Sequence, residues 1–187
     1  MVFYMENDME RLELDYELIT PSARIAATTH GGRAKCLQRL LRLDLPVPRT
    51  VAISFLGVHS IAAGHFEELL DLLDNFNNDD LLCVRPSSES PDWGGPSAIM
   101  NIGMNDMRYD ELQQKLGVDM ASSIYIEFIQ AYSLHVARLD PDIFNQVDHG
   151  SSDALPKILE IYESETEHVF PQDITVQLSE ILRSMAR

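Results

Sequence analysis

The spacing of apolar residues divides the 187-residue chain into a front part of short, mixed elements and a helical back part. In residues 33–45 leucines recur at helical spacing, and Pro46 and Pro48 end that pattern. Residues 47–55 are β-branched and apolar, with prolines confined to their start, which predicts a strand. A second apolar stripe, with acids on the opposite face, predicts one helix over residues 58–76.

Two further strands and then only helices are predicted beyond this point. The apolar runs at 81–85 and 98–104 are typical of buried strands. The loop between them, residues 87–97, is rich in serine, proline and glycine, and loops of this kind often contact ligands. Asn105 is suited to cap the next helix. The pattern then predicts helices over residues 107–116, 119–139, 154–166 and 173–186.

These elements indicate an α+β protein with three regions. Residues 1–30 are acidic and weakly periodic, and we treat them as an N-terminal extension with one strand or short helix. An α+β lobe covers residues 31–106, and a helical segment covers residues 107–187.

Composition narrows the class of protein and its partners. The apolar fraction of 45% and charged fraction of 24% are ordinary for a globular domain, which excludes a disordered chain. No apolar run approaches the roughly 18 residues of a membrane span, and the first residues lack secretory-signal features, so we expect a cytoplasmic protein without membrane partners. The net charge of −16 excludes nucleic acid as a preferred partner, because such a binder presents cations to phosphates.

One segment opposes the overall negative charge. Residues 18–49 hold six of the fourteen cationic side chains and a single acid, Asp44. This stripe either meets a compact polyanion such as a nucleoside triphosphate or pairs with acidic surface of the same molecule.

Two positions within these patterns are candidate phosphate contacts. Gly31 and Gly32 precede a predicted helix whose dipole and free amides favour an anion, and Arg33 adds a full positive charge. Arg85 ends an apolar strand and needs either solvent or an anionic partner. An ordinary turn and an ion pair with one of the thirty acids are the alternatives.

The other reactive side chains form no recognisable catalytic or metal-binding pattern. The six histidines have no i, i+4 arrangement with carboxylates, and no Walker-type loop or nucleophile elbow is present. Cys36 and Cys83 have no metal or redox spacing, so we expect buried free thiols. We therefore assign no metal ligand.

Four ordered matches give a family resemblance. The first combines Gly-Gly-Arg-Ala-Lys-Cys-Leu at 31–37, Leu-Asp-Leu-Pro-Val-Pro at 43–48 and Val-Ala-Ile-Ser at 51–54. The others are Cys-Val-Arg-Pro-Ser-Ser at 83–88, Ile-Met-Asn-Ile-Gly-Met-Asn-Asp at 99–106, and a segment at 162–178 that contains Phe-Pro-Gln-Asp. This order resembles the front of the nucleotide-binding domain of the pyruvate phosphate dikinase and phosphoenolpyruvate synthase family. The resemblance extends from about residue 31 to the end of the chain.

The resemblance implies part of an ATP-grasp domain, with a small mixed sheet, flanking helices and a following helical segment. In that family ATP and Mg²⁺ are bound, and a phosphoryl group passes to a carrier histidine and then to pyruvate, which gives phosphoenolpyruvate. By this likeness Arg33 replaces a phosphate-contacting lysine and Arg85 matches a phosphate-contacting arginine. Both would act catalytically by stabilising charge on the phosphoryl group. The implied phosphate-binding residues are Gly31, Gly32, Arg33, Arg85, Gly94 and Gly95.

Departures from the family limit the expected activity. A guanidinium replaces the compact lysine ammonium at position 33, and residues 94–98 (Gly-Gly-Pro-Ser-Ala) lack polar groups of the family's loop. The sequence also lacks the lobe with the magnesium-binding acids, the carrier-histidine domain and the pyruvate-binding barrel. We expect an incomplete phosphotransferase portion that is inactive alone, with pyruvate and phosphate as ligands of a complete enzyme only. The alternative is a non-catalytic regulatory or protein-interaction module, and a homodimer is compatible with either.

Overall fold

The computed structural model describes residues 15–66, 69–88 and 97–186. Its mixture of strands and helices confirms the predicted α+β class. The described strands are β1 (Tyr16–Leu18), β2 (Val51–Ile53), β3 (Leu82–Val84) and β4 (Ile99–Ile102). The described helices are α1 (Ala27–Arg42), α2 (Phe55–Ala62), α3 (Leu69–Leu73), α4 (Asp106–Leu116), α5 (Val118–His135), α6 (Ala154–Thr166) and α7 (Ile174–Met185), with a 3₁₀ turn at Pro141–Phe144.

The described strands form two separate antiparallel pairs, so the expected small mixed sheet is wrong for this part of the chain. Strand β1 pairs with β2, with Glu17 opposite Ala52, and β3 pairs with β4, with Leu82 opposite Ile102. The two pairs contribute differently to the cores, although Val51 and Ile53 of β2 also pack against the main core. Ala52 belongs to a small front core, whereas Ile99 and Ile102 belong to the main core.

The front core is small and depends on residues that precede the glycine turn. Its buried members are Ile19, Ile25, Ala34 and Ala52. The side chain of Gln38 on α1 is fully buried beside it, and its amide donates to the carbonyls of Thr20 and Ala23 at 3.2 and 2.6 Å. Residues 19–25 are thereby fixed against α1.

The region after β2 differs most from expectation. Strand β2 ends at Ile53 because Ser54 caps α2, its hydroxyl accepting from the amide of Gly57 at 3.1 Å. The single helix predicted over 58–76 is wrong, because α2 ends at Ala62 and a turn follows. Gly64 lies in that turn at φ +95, a left-handed conformation that ends the helix.

The back part agrees closely with the periodic pattern. Asn105 caps α4 as predicted, its side-chain oxygen accepting from the amide of Arg108 at 2.8 Å.

Phe170, which lies between α6 and α7, is the centre of the packing. Its ring centroid lies 5.2 to 5.9 Å from four aromatic rings in edge-on or steeply inclined contacts. These rings belong to Tyr125, Phe128, Tyr132 and Tyr162. In the described ranges no helix combines the length and apolar character of a membrane span.

Candidate functional site

The structure brings the glycine turn and the end of β3 into direct contact. The amide of Gly32 donates to the carbonyl oxygen of Ser88 at 2.7 Å. The guanidinium of Arg33 donates through Nη1 to the carbonyl oxygen of Pro86 at 2.6 Å. We call this contact between residues 31–33 and 85–88 the Gly31 junction. It joins the two segments that sequence analysis singled out, although more than fifty residues separate them.

Gly31 interrupts the helix to make this contact. Its backbone, at φ 81 and ψ 166, is non-helical inside α1, so the regular helix resumes after it. A β-carbon at this position would lie 2.8 Å from both the carbonyl carbon of Ser87 and the backbone nitrogen of Ser88. Only glycine therefore permits both this conformation and this approach.

Two exposed cations border the Gly31 junction. Arg33 and Arg85 are both solvent-exposed, and no acid within the described ranges forms an ion pair with either. Partial withdrawal from water raises the pKa of the Cys83 thiol, and the positive charge of Arg85, two residues further on, opposes the rise. The junction therefore combines uncompensated positive charge with a glycine turn, as an anion site requires.

Ser87 is a member of the junction that sequence reasoning missed. Its Oγ is buried, and it makes no hydrogen bond with the described part of the molecule. A buried hydroxyl without a partner costs free energy, and such groups concentrate at functional or strained sites. The only signal in the sequence is its position two residues after Arg85.

The Gly31 junction suits an anionic group better than it suits a magnesium ion. The exposed guanidinium groups of Arg33 and Arg85 offer donors and positive charge to an anion. Among the residues that the structure describes, no three His, Cys, Asp or Glu side chains are grouped to hold a metal ion. Gly94 and Gly95 lie outside the described residues. We therefore derive no step that passes through magnesium.

The expected burial of the two thiols is wrong. Cys36 and Cys83 are both exposed, and neither forms a disulfide. Cys83 is the outward-facing residue of the three in β3, and Cys36 lies on the solvent side of α1. Strand alternation accounts for Cys83, since its neighbours Leu82 and Val84 face inward.

No protein-family model and no curated protein matches this chain. The sequence motifs and the geometry of the Gly31 junction are therefore the basis for a proposed function.

Proposed function

We propose that the chain is the phosphate-binding portion of an ATP-grasp nucleotide site, of the kind found in pyruvate phosphate dikinase. The observation that carries this proposal is the pair of hydrogen bonds from Gly32 and Arg33 to the end of β3. They hold the glycine turn and the exposed Arg33 against the residues that directly follow the exposed Arg85. In this proposal the triphosphate of ATP lies over the junction.

The contacts among the other motif segments support the same proposal. Segment 99–106 meets segment 162–178: the amide of Gly103 donates to Gln177 Oε1 at 2.8 Å. The side chain of Asn105 also donates to the carbonyl of Gln172 at 2.9 Å. Four motif segments are thus joined by successive contacts: 31–37 with 83–88, 83–88 with 99–106 through β3 and β4, and 99–106 with 162–178.

The chemistry expected of the site is binding and charge stabilisation. Arginine offers a planar fork of donors that matches two phosphate oxygens at once, so Arg33 and Arg85 would orient the triphosphate and offset its charge. Arg33 would have to turn from Pro86 or share its donors, since Nη1 is already bonded there. We expect this chain alone to bind ATP without transferring its phosphoryl group, because the described residues supply no group of side chains that could hold a metal ion.

Nucleotide binding should depend on both arginines. Arg33→Gln and Arg85→Gln are each expected to weaken ATP binding about 10-fold to 100-fold, since hydrogen bonds to charged groups contribute about 1.5–3 kcal/mol. Isothermal titration of ATP, with and without magnesium, measures the effect. Arg33→Lys, which keeps the charge and loses the fork, should retain part of the affinity.

Arg39→Gln is the matched control, because Arg39 is also exposed on α1 and lies six positions beyond Arg33. It should leave ATP affinity unchanged, and thermal melts should show that all variants fold. Equal heats for the wild type, the control and both site variants would contradict the proposal.

A second candidate function is a protein-interaction module that forms a homodimer through the helical part. Its support is an exposed apolar corner where α4 meets α5. Leu116, Val118 and Met120 are 53%, 52% and 55% exposed, and α4 has no fully buried residue. Exposed apolar side chains grouped at one place mark interaction surfaces.

This candidate predicts a dimer that a charge at the corner disrupts. Met120→Glu should convert the dimer to a monomer in analytical ultracentrifugation, because a carboxylate cannot be buried in an apolar interface without large cost. Leu56→Glu, at a 68% exposed leucine on α2, is the control and should leave the dimer intact. A wild-type monomer, or dimers for both variants, would exclude the corner as the interface.

A further inference from the structure

A cleft of about 650 Å³ lies in the helical part, away from the residues of the Gly31 junction. It is formed where the ends of α5 and α6 meet α7. Its volume falls within the range of about 300–1,000 Å³ that small-molecule sites occupy. Its lining includes Tyr132, Val136, Arg138, Val169, Val176 and Arg183.

The walls of this cleft include apolar surface that is open to solvent. Val169 and Val176 are 70% and 44% exposed, although valine is commonly buried. Val136 and the buried ring of Tyr132 continue the apolar surface inward. The cleft therefore offers contact to the apolar body of a ligand.

Two arginines and two acids line the cleft, and a hydrogen bond engages one of the acids. The hydroxyl of Tyr132 donates a hydrogen bond to the carboxylate of Glu180. The guanidinium carbon of Arg183 lies 4.8 Å from the ring centroid of Phe66, a stacking contact that fixes the group while leaving its N–H donors at the edge. Glu165 is the other acid that lines the cleft, and it is exposed at the rim.

Arg138 and Arg183 both line the cleft. Arg138 donates through Nη2 to the hydroxyl of Ser184 at 3.2 Å, so its guanidinium reaches the residue next to Arg183. Ser184 in turn donates to the carbonyl of His135 at the end of α5. The hydroxyl thus links Arg138 to α7 and leaves the other guanidinium N–H groups available for an anion.

The backbone is strained on both sides of the cleft. Arg138 and Glu167 both have φ +60, and they are two of the four non-glycine residues with positive φ in the described ranges. Arg138 lines the cleft, and Glu167 lies between Thr166 and His168, which also line it. Left-handed conformations of ordinary residues cost about 1–2 kcal/mol each and concentrate at ligand sites.

We propose that this cleft is a second binding site, for a small amphipathic carboxylate. Arg138 and Arg183 bind the carboxylate group, and the apolar body lies against Val136, Val169 and Val176. A neutral ligand of the same shape loses the contacts to both guanidinium groups. Because the chain carries a net charge of −16, attraction of an anion here must come from these local cations.

The test compares 4-phenylbutanoate with its neutral counterpart 4-phenylbutan-1-ol, by titration monitored with NMR chemical shifts. The carboxylate should bind the wild type about 10-fold more tightly than the alcohol, since a charge-assisted pair exceeds a neutral contact by roughly that factor. Arg138→Gln and Arg183→Gln should each remove this preference, and Arg183→Lys should keep part of it.

Arg39→Gln again serves as the control, because it makes the same change in net charge on α1 outside the cleft. It should retain the full preference for the carboxylate, and thermal melts should confirm that Arg138→Gln and Arg183→Gln remain folded. Three results would each overturn the proposal. The first is equal affinity of the acid and the alcohol, and the second is an equal loss of preference in Arg39→Gln. The third is the absence of chemical-shift changes up to about 20 mM ligand, which corresponds to a binding free energy weaker than about −2.3 kcal/mol.

Discussion

Replacing Gly31 by alanine is expected to destabilise the protein by about 3 kcal/mol and to abolish ATP binding. The backbone at φ 81 and ψ 166 is a conformation essentially restricted to glycine and costs an alanine about 1–3 kcal/mol. The added β-carbon also meets backbone atoms of Ser87 and Ser88 at 2.8 Å, and overpacking of this kind costs about 1–3 kcal/mol. Backbone cannot rotate away as a flexible side chain can, so the turn and the end of β3 must separate.

Gly117→Ala separates the two causes. Gly117 has a similar φ of +86, but a β-carbon there meets nothing within 4 Å. Its replacement should cost only the backbone contribution of about 1–3 kcal/mol, because its ψ of 161 places it in the same region as Gly31. Urea unfolding of both variants measures the difference, and titration with ATP measures the loss of binding. If the two variants lost equal stability, the close contact at the Gly31 junction would not exist in solution.

The helical back part was predictable because long amphipathic patterns determine both element and face. The predicted helix at 154–166 coincides with α6, and the predicted helix at 107–116 begins one residue late. Helix α5 ends at His135 rather than at 139, and the 3₁₀ turn at Pro141–Phe144 was missed. Short local turns depend on a few hydrogen bonds, such as that of Asp140, whose side chain accepts from the amide of Asp142 at 3.0 Å.

The front part was less predictable because its elements depend on distant partners. Strand β1 has only three residues, and what places it is its pairing with β2, more than thirty positions away. A single glycine, Gly64, ends a helix whose apolar stripe continues beyond it. Intrinsic pattern is a weak guide in elements this short, where tertiary contacts determine the outcome.

The candidate site was predictable in its parts but not in its contacts. The glycine turn and Arg85 stand out in sequence because their chemistry is local, and family resemblance suggested that they meet. The partners of Arg33 and Gly32 are main-chain carbonyls, which no side-chain pattern specifies. The same reason hid Ser87, whose buried hydroxyl lies against Gly31, a residue distant in the sequence.

Gln177→Leu is expected to destabilise the protein by about 3–5 kcal/mol, the largest effect of any substitution proposed for the back part. The side chain is fully buried and makes three hydrogen bonds to the main chain. Its oxygen accepts from the amide of Gly103 at 2.8 Å, and its nitrogen donates to the carbonyls of Met104 at 3.0 Å and Pro171 at 2.7 Å. Leucine has a similar volume, so the cost arises from main-chain groups left without partners, at about 1–3 kcal/mol each.

Gln114→Leu makes the same chemical change at an exposed position on α4 and should alter the free energy of unfolding by less than about 0.5 kcal/mol. Urea unfolding of both variants gives the comparison. Hydrogen exchange at the Gly103 amide should accelerate in Gln177→Leu, because that amide loses its acceptor at the end of β4. A stable Gln177→Leu protein with slow exchange at Gly103 would show that this amide does not join β4 to α7, and the contact between motif segments 99–106 and 162–178 would then lose its main support.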